Sequence, residues 1–332
     1  MHICLVVDSK LPTHHYGGTE RVVYWLGKAL AEAGHEVTFL AQPSEVNFAN
    51  VQVIDKSIGL EKQIPDGVDI VHLHSGFELS HHLDYEIPIC QTIHGNVRHP
   101  TTFHPNSIFV SRNHAQNHNA KAFVHNGLDP SDYGQIDLHS DRTSFTFLAK
   151  AAWKVKNVRG AIKLSKLAKS PIDVLGGHRL NFKMGFRWSL SPHAKFYGMV
   201  DDAMKTKILN KSRGLVFPVL WPEPFGVAVI ESLYFGVPVF GTTYGSLPEL
   251  VPKSAGHLSN NIYELASAME SWRSYDRHKI HNWWRENFTS HIMAEKYLKY
   301  YSSIISGGQL HFAPIKAEAV RVSKLLPWEE NN

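Results

Sequence analysis

Short continuous apolar runs alternate with amphipathic helical runs along this chain, and the alternation occurs twice. "ICLVVD" (3–8) precedes the helical run "TERVVYWLGKALAEAG" (19–34), whose Val22, Val23, Leu26, Ala29, Leu30 and Ala33 share one face before Gly34 stops it. "EVTFLA" (36–41), "VDIVHLH" (68–74), "PICQTIH" (88–94) and "SIFVS" (107–111) read as further strands, and "AFVHNGLDP" (122–130) closes this half. The pattern restarts with strands at 144–150, 172–177, 194–200, 214–220 and 237–242 and helices at 160–169, 201–212 and after Gly226. Uninterrupted apolar strands joined by helical crossovers predict parallel sheets covered on both faces. The expectation is an α/β chain of two doubly wound, Rossmann-like domains joined near residues 128–143. Ligands of such sheets bind at the carboxyl ends of strands. The loops after Asp8, His74, His94, Ala149, Gly176, Val219 and Thr242 are therefore candidates.

Composition narrows the function classes. A length of 332 residues with 43% hydrophobic and 19% charged residues suits a folded two-domain protein. No apolar run approaches the ~18 residues of a membrane-spanning helix. The N-terminal "MHICLVVDSK" reads as a buried strand, not a signal peptide. Cys4 and Cys90 both lie in strand-like runs, which favours thiols in a reducing, cytoplasmic setting over a disulfide. A net charge of +4 permits anionic ligands, and no basic stripe or motif points to nucleic acid.

Chemistry concentrates in a few segments. In "WPEPFGVAVIESLYFGVPV" (221–239) two prolines flank Glu223 and force an irregular turn. The helix that follows carries Glu231 within an apolar run and ends at Gly236. The backbone N–H groups of Phe225, Gly226 and Val227 stand at its start, where negative charge is favoured. Gly17 and Gly18 lie between a strand and a helix, as a turn needing positive φ or as a close approach of backbone to an anion. Without a GxGxxG spacing they give no support to a nicotinamide cofactor. "FLAKAAWKVKNVRG" (147–160) gathers Lys150, Lys154 and Lys156 after a strand, as phosphate-binding cations or as a solvated loop. His94 ends a strand. His72 and His74 share a strand face, and His114 and His118 lie four apart; no HExxH or Cys/His ligand set accompanies them, so no metal is expected. Asp201-Asp202 reads as a helix start.

Taken together, "YGGTERVV" (16–23), "QTIHG" (91–95), "VHNGLD" (124–129), "EPFGVAVIES" (223–232) and "TTYGSLPELV" (242–251) resemble, in order and spacing, family 4 glycosyltransferases of the GT-B fold. The resemblance covers roughly residues 3–300. It implies two Rossmann-like domains facing across a cleft, with an acceptor-side domain over 1–132 and a nucleotide-sugar-binding domain over 140–280. A C-terminal helix at about 285–306 would pack back on the first domain, helped by Trp283, Trp284 and Phe288, and 307–332 would form an extended tail. The implied activity is retaining, metal-independent transfer of a sugar from a nucleoside-diphosphate sugar to a glycan, lipid or small-molecule acceptor. The nucleotide sugar is a substrate, and no cofactor is implied. Peripheral contact with the inner membrane face is compatible with the resemblance.

By the same resemblance Glu223 meets the sugar hydroxyls, Glu231 the ribose, His94 the donor sugar and Lys156 the diphosphate, with His94, Lys156 and Glu223 the catalytic set. Gly17, Gly18, Phe225, Gly226 and Val227 would line the donor. The family's arginine, five residues before the lysine, falls on Ala151 here, and Lys150 or Lys154 is left to take its place. That departure keeps open a catalytically degenerate nucleotide-sugar-binding protein, alongside a sugar-nucleotide epimerase of similar architecture.

Overall fold

The computed structural model describes residues 1–13, 18–80, 85–182, 187–320 and 325–329. The chain forms two compact units. One comprises Met1–Asp129 with Phe288–Arg321, the other Pro130–Asn287 with Val322–Asn332.

The first unit is built on β1 (His2–Val7), α1 (Gly18–Glu32), β2 (Glu36–Ala41), β3 (Asn50–Val53), β4 (Ile70–Leu73), β5 (Ile89–Ile93), β6 (Thr101–Phe103), β7 (Ser107–Phe109) and α2 (Arg112–Asn117). Six strands make a parallel sheet in the order β3-β2-β1-β4-β5-β7. β1 is buried from Ile3 to Val7, as expected for a central strand covered on both faces. The order reverses between β1 and β4, so the crevice beyond their carboxyl ends is where a doubly wound sheet receives a ligand.

The second unit repeats the plan. β8 (Ser144–Leu148), α3 (Val158–Leu167), β9 (Ile172–Leu175), the short ribbon β10 (Leu180–Asn181) and β11 (Arg187–Trp188), β12 (Ala194–Gly198), α4 (Asp202–Asn210) and β13 (Ser212–Phe217) come first. α5 (Val227–Tyr234), β14 (Val239–Gly241), α6 (Leu247–Leu250), β15 (Gly256–Leu258), α7 (Ile262–Glu270) and α8 (Arg277–Asn287) follow. Its parallel sheet runs β12-β9-β8-β13-β14-β15, with the reversal between β8 and β13.

α3 begins two residues before the expected Gly160, because Asn157, at φ 54°, caps it by accepting from the Gly160 N–H. Asp201 caps α4 through the Met204 N–H at 2.8 Å, as its position in the sequence suggests. After α8 the chain re-enters the first unit as α9 (Ser290–Ile305), which packs on α1. At that return Leu128 N–H donates to Phe288 C=O and Ser290 N–H to Leu128 C=O. A Cβ on Gly127 would come within 2.3 Å of the Thr289 carbonyl oxygen, which explains glycine in "VHNGLD". Phe288 is buried at this return, near the His125 ring, whereas Trp284 packs on Tyr234 and His281 and Trp283 donates from Nε1 to the Leu250 carbonyl, both within the second unit.

The described residues of 307–332, a stretch expected as an extended tail, contribute to both units. β16 (Ile315–Ala317) pairs antiparallel with β6, and Ile315 and Ala317 join a small core with Phe103, Phe109 and Ala120. Glu329 exchanges backbone hydrogen bonds with the Asn260–Ile262 segment of the second unit. Among the described residues no helix is long and apolar enough to cross a membrane.

Candidate active site

In the second unit, the loops that leave β8 and β13 at the switch point carry most of the expected donor ligands. The chain after β8 makes a single tight turn over Lys154–Lys156 and ends at Asn157. Leu220 N–H donates to the Val155 carbonyl at 2.7 Å, tying the loop after β13 to this turn. The consequence is contact between two expected site residues: Lys156 Nζ lies 2.6 Å from Glu223 Oε2. Trp221 Nε1–H donates to the same oxygen at 2.6 Å. The Lys156 ammonium also lies 5.2 to 5.7 Å from the ring centroids of Trp221, Phe217 and Trp153, a cation bordered by aromatic faces. Glu223 is 5% exposed, so it is no solvated surface acid.

The Glu223 turn is clamped from behind by "TTYGSLPELV". Ser246 N–H donates to the Glu223 carbonyl at 3.0 Å, and Ser246 Oγ donates to the Phe225 carbonyl at 2.5 Å. Gly245, at φ +65°, makes this approach feasible, since a Cβ there would fall 2.2 Å from Glu223 N and 2.3 Å from its carbonyl oxygen. Gly226 sits at φ 92° and begins α5 with no side chain capping the first turn. The amides of this first turn therefore stand beside Glu223 at a positive helix end. Phe225 itself is buried, so it offers backbone and not its ring.

Glu231 lies one helical stretch further on, 5% exposed. Its Oε1 accepts from Lys205 Nζ at 2.7 Å and from Tyr133 Oη–H at 2.5 Å, while Asp202 shares the same lysine at 3.1 Å. Neither Lys205 nor Tyr133 stood out in the sequence. The only available signal for Lys205 was its helical position in "DDAMKTKILNKS", which does not separate it from the exposed Lys207. The other expected cations are not brought to Glu223: Lys150 and Lys154 are exposed. Ala151, at the family's arginine position, is buried, and a Cβ on Gly177 would meet its methyl at 2.5 Å.

In the first unit, Gly17 lies outside the described residues. Gly18 starts α1, and a Cβ there would meet open space, so packing does not demand glycine. His94 follows β5 and is half-buried; its Nε2 is 2.9 Å from His74 Nδ1. Burial pushes His94 down to about 4, so its ring is neutral near pH 7. His72, whose ring is tilted 42° to that of His74 with centroids 4.0 Å apart, reaches Tyr301 Oη at 2.6 Å and Thr92 Oγ1 at 2.8 Å. His114 and His118 pack against Phe109 and each other. Among the described residues, no three His, Cys, Asp or Glu side chains converge as metal ligands. Both cysteines are buried thiols.

Comparison with known proteins agrees with this fold. A family model described as glycosyl transferases group 1 matches residues 144–280, the β8–α8 portion of the second unit. An uncharacterized 41.2 kDa protein in the cps region of Klebsiella pneumoniae is 26% identical over 122 residues, 37% of this chain and 32% of that protein. The chain thus matches about a third of that relative's length. Among solved structures, AviGT4, a glycosyltransferase involved in avilamycin A biosynthesis, superposes with a TM-score of 0.75 at 20% identity, covering 92% of this chain and 98% of its own. Sucrose-phosphate synthase of Thermosynechococcus elongatus gives 0.69 at 14%, covering 92% and 100%. HepE of Anabaena, solved with UDP and glucose, gives 0.61 at 15%, covering 91% and 100%. The architecture is that of the GT-B glycosyltransferases: an α/β chain with a parallel sheet in each of two units.

Proposed function

We propose that this protein is a retaining glycosyltransferase that binds a nucleoside-diphosphate sugar on its second unit and passes the sugar to a glycan, lipid-linked or small-molecule acceptor. The observation that carries the reading is the Lys156–Glu223 pair at the β8/β13 switch point, inside the segment matched by the glycosyl transferases group 1 model. Lys156 has three N–H donors, of which one is spent on Glu223. The others serve the diphosphate as negative charge grows on it during cleavage of the sugar–phosphate bond. Glu223 accepts from sugar hydroxyls, Gly226 and Val227 lend backbone N–H groups, and Lys205 and Tyr133 hold Glu231 for the ribose diol. The anomeric carbon loses its phosphate oxygen and gains the acceptor oxygen on the same face, the acceptor's proton passing to the leaving phosphate. No cofactor or metal takes part, and peripheral contact with the inner membrane face of a cytoplasmic enzyme is part of the proposal.

Calorimetric titration with UDP, GDP and ADP tests it. Tight binding of one diphosphate, weakened by about 1.5–3 kcal/mol in Glu231→Ala, supports the ribose contact and names the donor to assay. A folded protein that binds none of the three refutes the reading. One observation favours a second reading, a nucleotide-sugar-binding protein without turnover: buried Ala151 leaves the arginine's place without a cation. Tight donor binding with no sugar transfer or donor hydrolysis would select that reading.

A further inference from the structure

His72, His74 and His94 line up along β4 and the end of β5, and the middle ring constrains the last. His74 Nδ1 and His94 Nε2 are 2.9 Å apart, so one of them donates and the other accepts. Burial holds His74 well below the ordinary histidine value and His94 at about 4, which leaves both rings neutral near pH 7, each with one N–H and one lone pair. His74 Nε2 is buried and meets no hydrogen-bond partner among the described residues. Two arrangements satisfy the shared bond. If His94 Nε2–H donates, His74 must carry its own proton on Nε2, as a buried N–H without an acceptor. If His74 Nδ1–H donates, its Nε2 is a buried lone pair without a donor. Among backbone groups an orphaned buried N–H is rarer than an under-satisfied acceptor, and we carry the same asymmetry over to the ring nitrogen. The second arrangement is favoured, and it puts the His94 proton on Nδ1.

We infer that His74 is a positioning residue that holds His94 in its Nδ1–H tautomer, so that His94 offers a bound ligand an N–H donor and no ring lone pair. The ligand group this suits is an oxygen acceptor, such as a sugar hydroxyl or ring oxygen. The tautomer follows from the geometry of the first unit alone; its use on a donor sugar rests on the function proposed above. With Nε2 accepting from His74 and Nδ1 protonated, His94 has no lone pair with which to take a proton from an acceptor hydroxyl.

The test reads the tautomer and the activity separately. Long-range 15N–1H correlation spectra of the full chain labelled on histidine, with the His94 signals assigned by their loss in His94→Gln, are expected to show Nδ1 protonated and Nε2 unprotonated in the ligand-free wild type. Protonated Nε2 there overturns the inference. His74→Leu removes the donor and is expected to move the His94 proton to Nε2 or to mix the two forms. His74→Asn, whose amide N–H can occupy the place of the imidazole Nδ1–H, is expected to keep the wild-type tautomer. In sugar-transfer assays His74→Leu should lower kcat about tenfold or more, and His74→Asn should restore most of it. A His74→Leu protein that folds and keeps the wild-type tautomer, or that changes tautomer at full activity, also overturns the inference. If the wild type shows the Nδ1–H signature but turns over no nucleotide sugar, the tautomer stands and the transferase reading is what fails.

Discussion

Lys156 and Glu223 form an ion pair with Nζ 2.6 Å from Oε2 and both side chains nearly buried, at 11% and 7% exposure. Removing one partner of such a pair strands a charge and costs about 3–5 kcal/mol, whereas replacing both with neutral groups of similar volume costs far less. Lys156→Met is therefore expected to lower the denaturant midpoint sharply, and Lys156→Met with Glu223→Gln to recover most of that loss while remaining inactive in sugar transfer. Equilibrium unfolding read beside a turnover assay checks this. A double variant no more stable than the single one would show that the pair is not coupled.

Gly245 offers a second test, because its place is set by backbone geometry and not by chemistry. Gly245→Ala puts a Cβ into the Glu223 backbone at a residue with φ +65°. The left-handed conformation alone costs about 1–2 kcal/mol for a residue with a side chain, and the clash adds to it. The expected result is a less stable protein whose nucleotide affinity falls further than the stability loss explains, as the turn carrying Glu223 is pushed away. Unchanged diphosphate affinity in the folded variant would show that the clamp does not shape the site.

The core strands and the helices between them were legible because buried parallel strands are continuous apolar runs and α1 and α3 have clear apolar faces. Less was legible where pairing is short or distant. β3 is exposed at both ends and only half-buried between them, and β6 and β16 are three-residue strands, too short for a period, that meet from distant parts of the sequence. The same contrast holds at the site. Lys156, Glu223 and His94 stand in loops after strands, and the resemblance of those loops to the family's motifs is what singles them out. Lys205 and Tyr133 are invisible as site residues until α4 and the 130–143 segment are folded over Glu231. His74 was conspicuous only as one of two alternating histidines, and its partnership with His94 forms past the ends of β4 and β5, where no strand pattern specifies it.

Tyr133 supplies a prediction about Glu231 that avoids touching the carboxylate. Tyr133→Phe keeps the ring against Tyr234 and Phe235 but removes the O–H that donates to Oε1 at 2.5 Å. A hydrogen bond to a charged group is worth about 1.5–3 kcal/mol. The variant is expected to lose stability of that order and to bind the preferred diphosphate several-fold more weakly, with the same diphosphate still preferred. Lys205→Met should be worse on both counts, since it leaves the buried Glu231 without its cation. Calorimetry on the two folded variants would reveal the opposite ranking if Lys205 were incidental.

Acid stability follows from the buried histidines of the first unit. Burial holds His72 and His74 well below the ordinary value of 6.5, His94 at about 4 and His114 at about 3. In the unfolded chain these rings take up protons near pH 6.5, while in the folded protein they stay neutral until pH falls through those lower values. Between about pH 6.5 and 4 the unfolded state holds more protons, so folding stability drops as pH drops, and the contribution is fully present above pH 6.5. The denaturation midpoint should be level above neutrality and fall steeply over that window. Amides of β4, β5 and α2 should lose hydrogen-exchange protection early in the fall. His114→Leu, which removes one of these sites from a buried place against Phe109, should make the slope shallower even if it lowers the midpoint. A midpoint flat down to pH 4 in the wild type would mean that these rings are not held neutral by the fold.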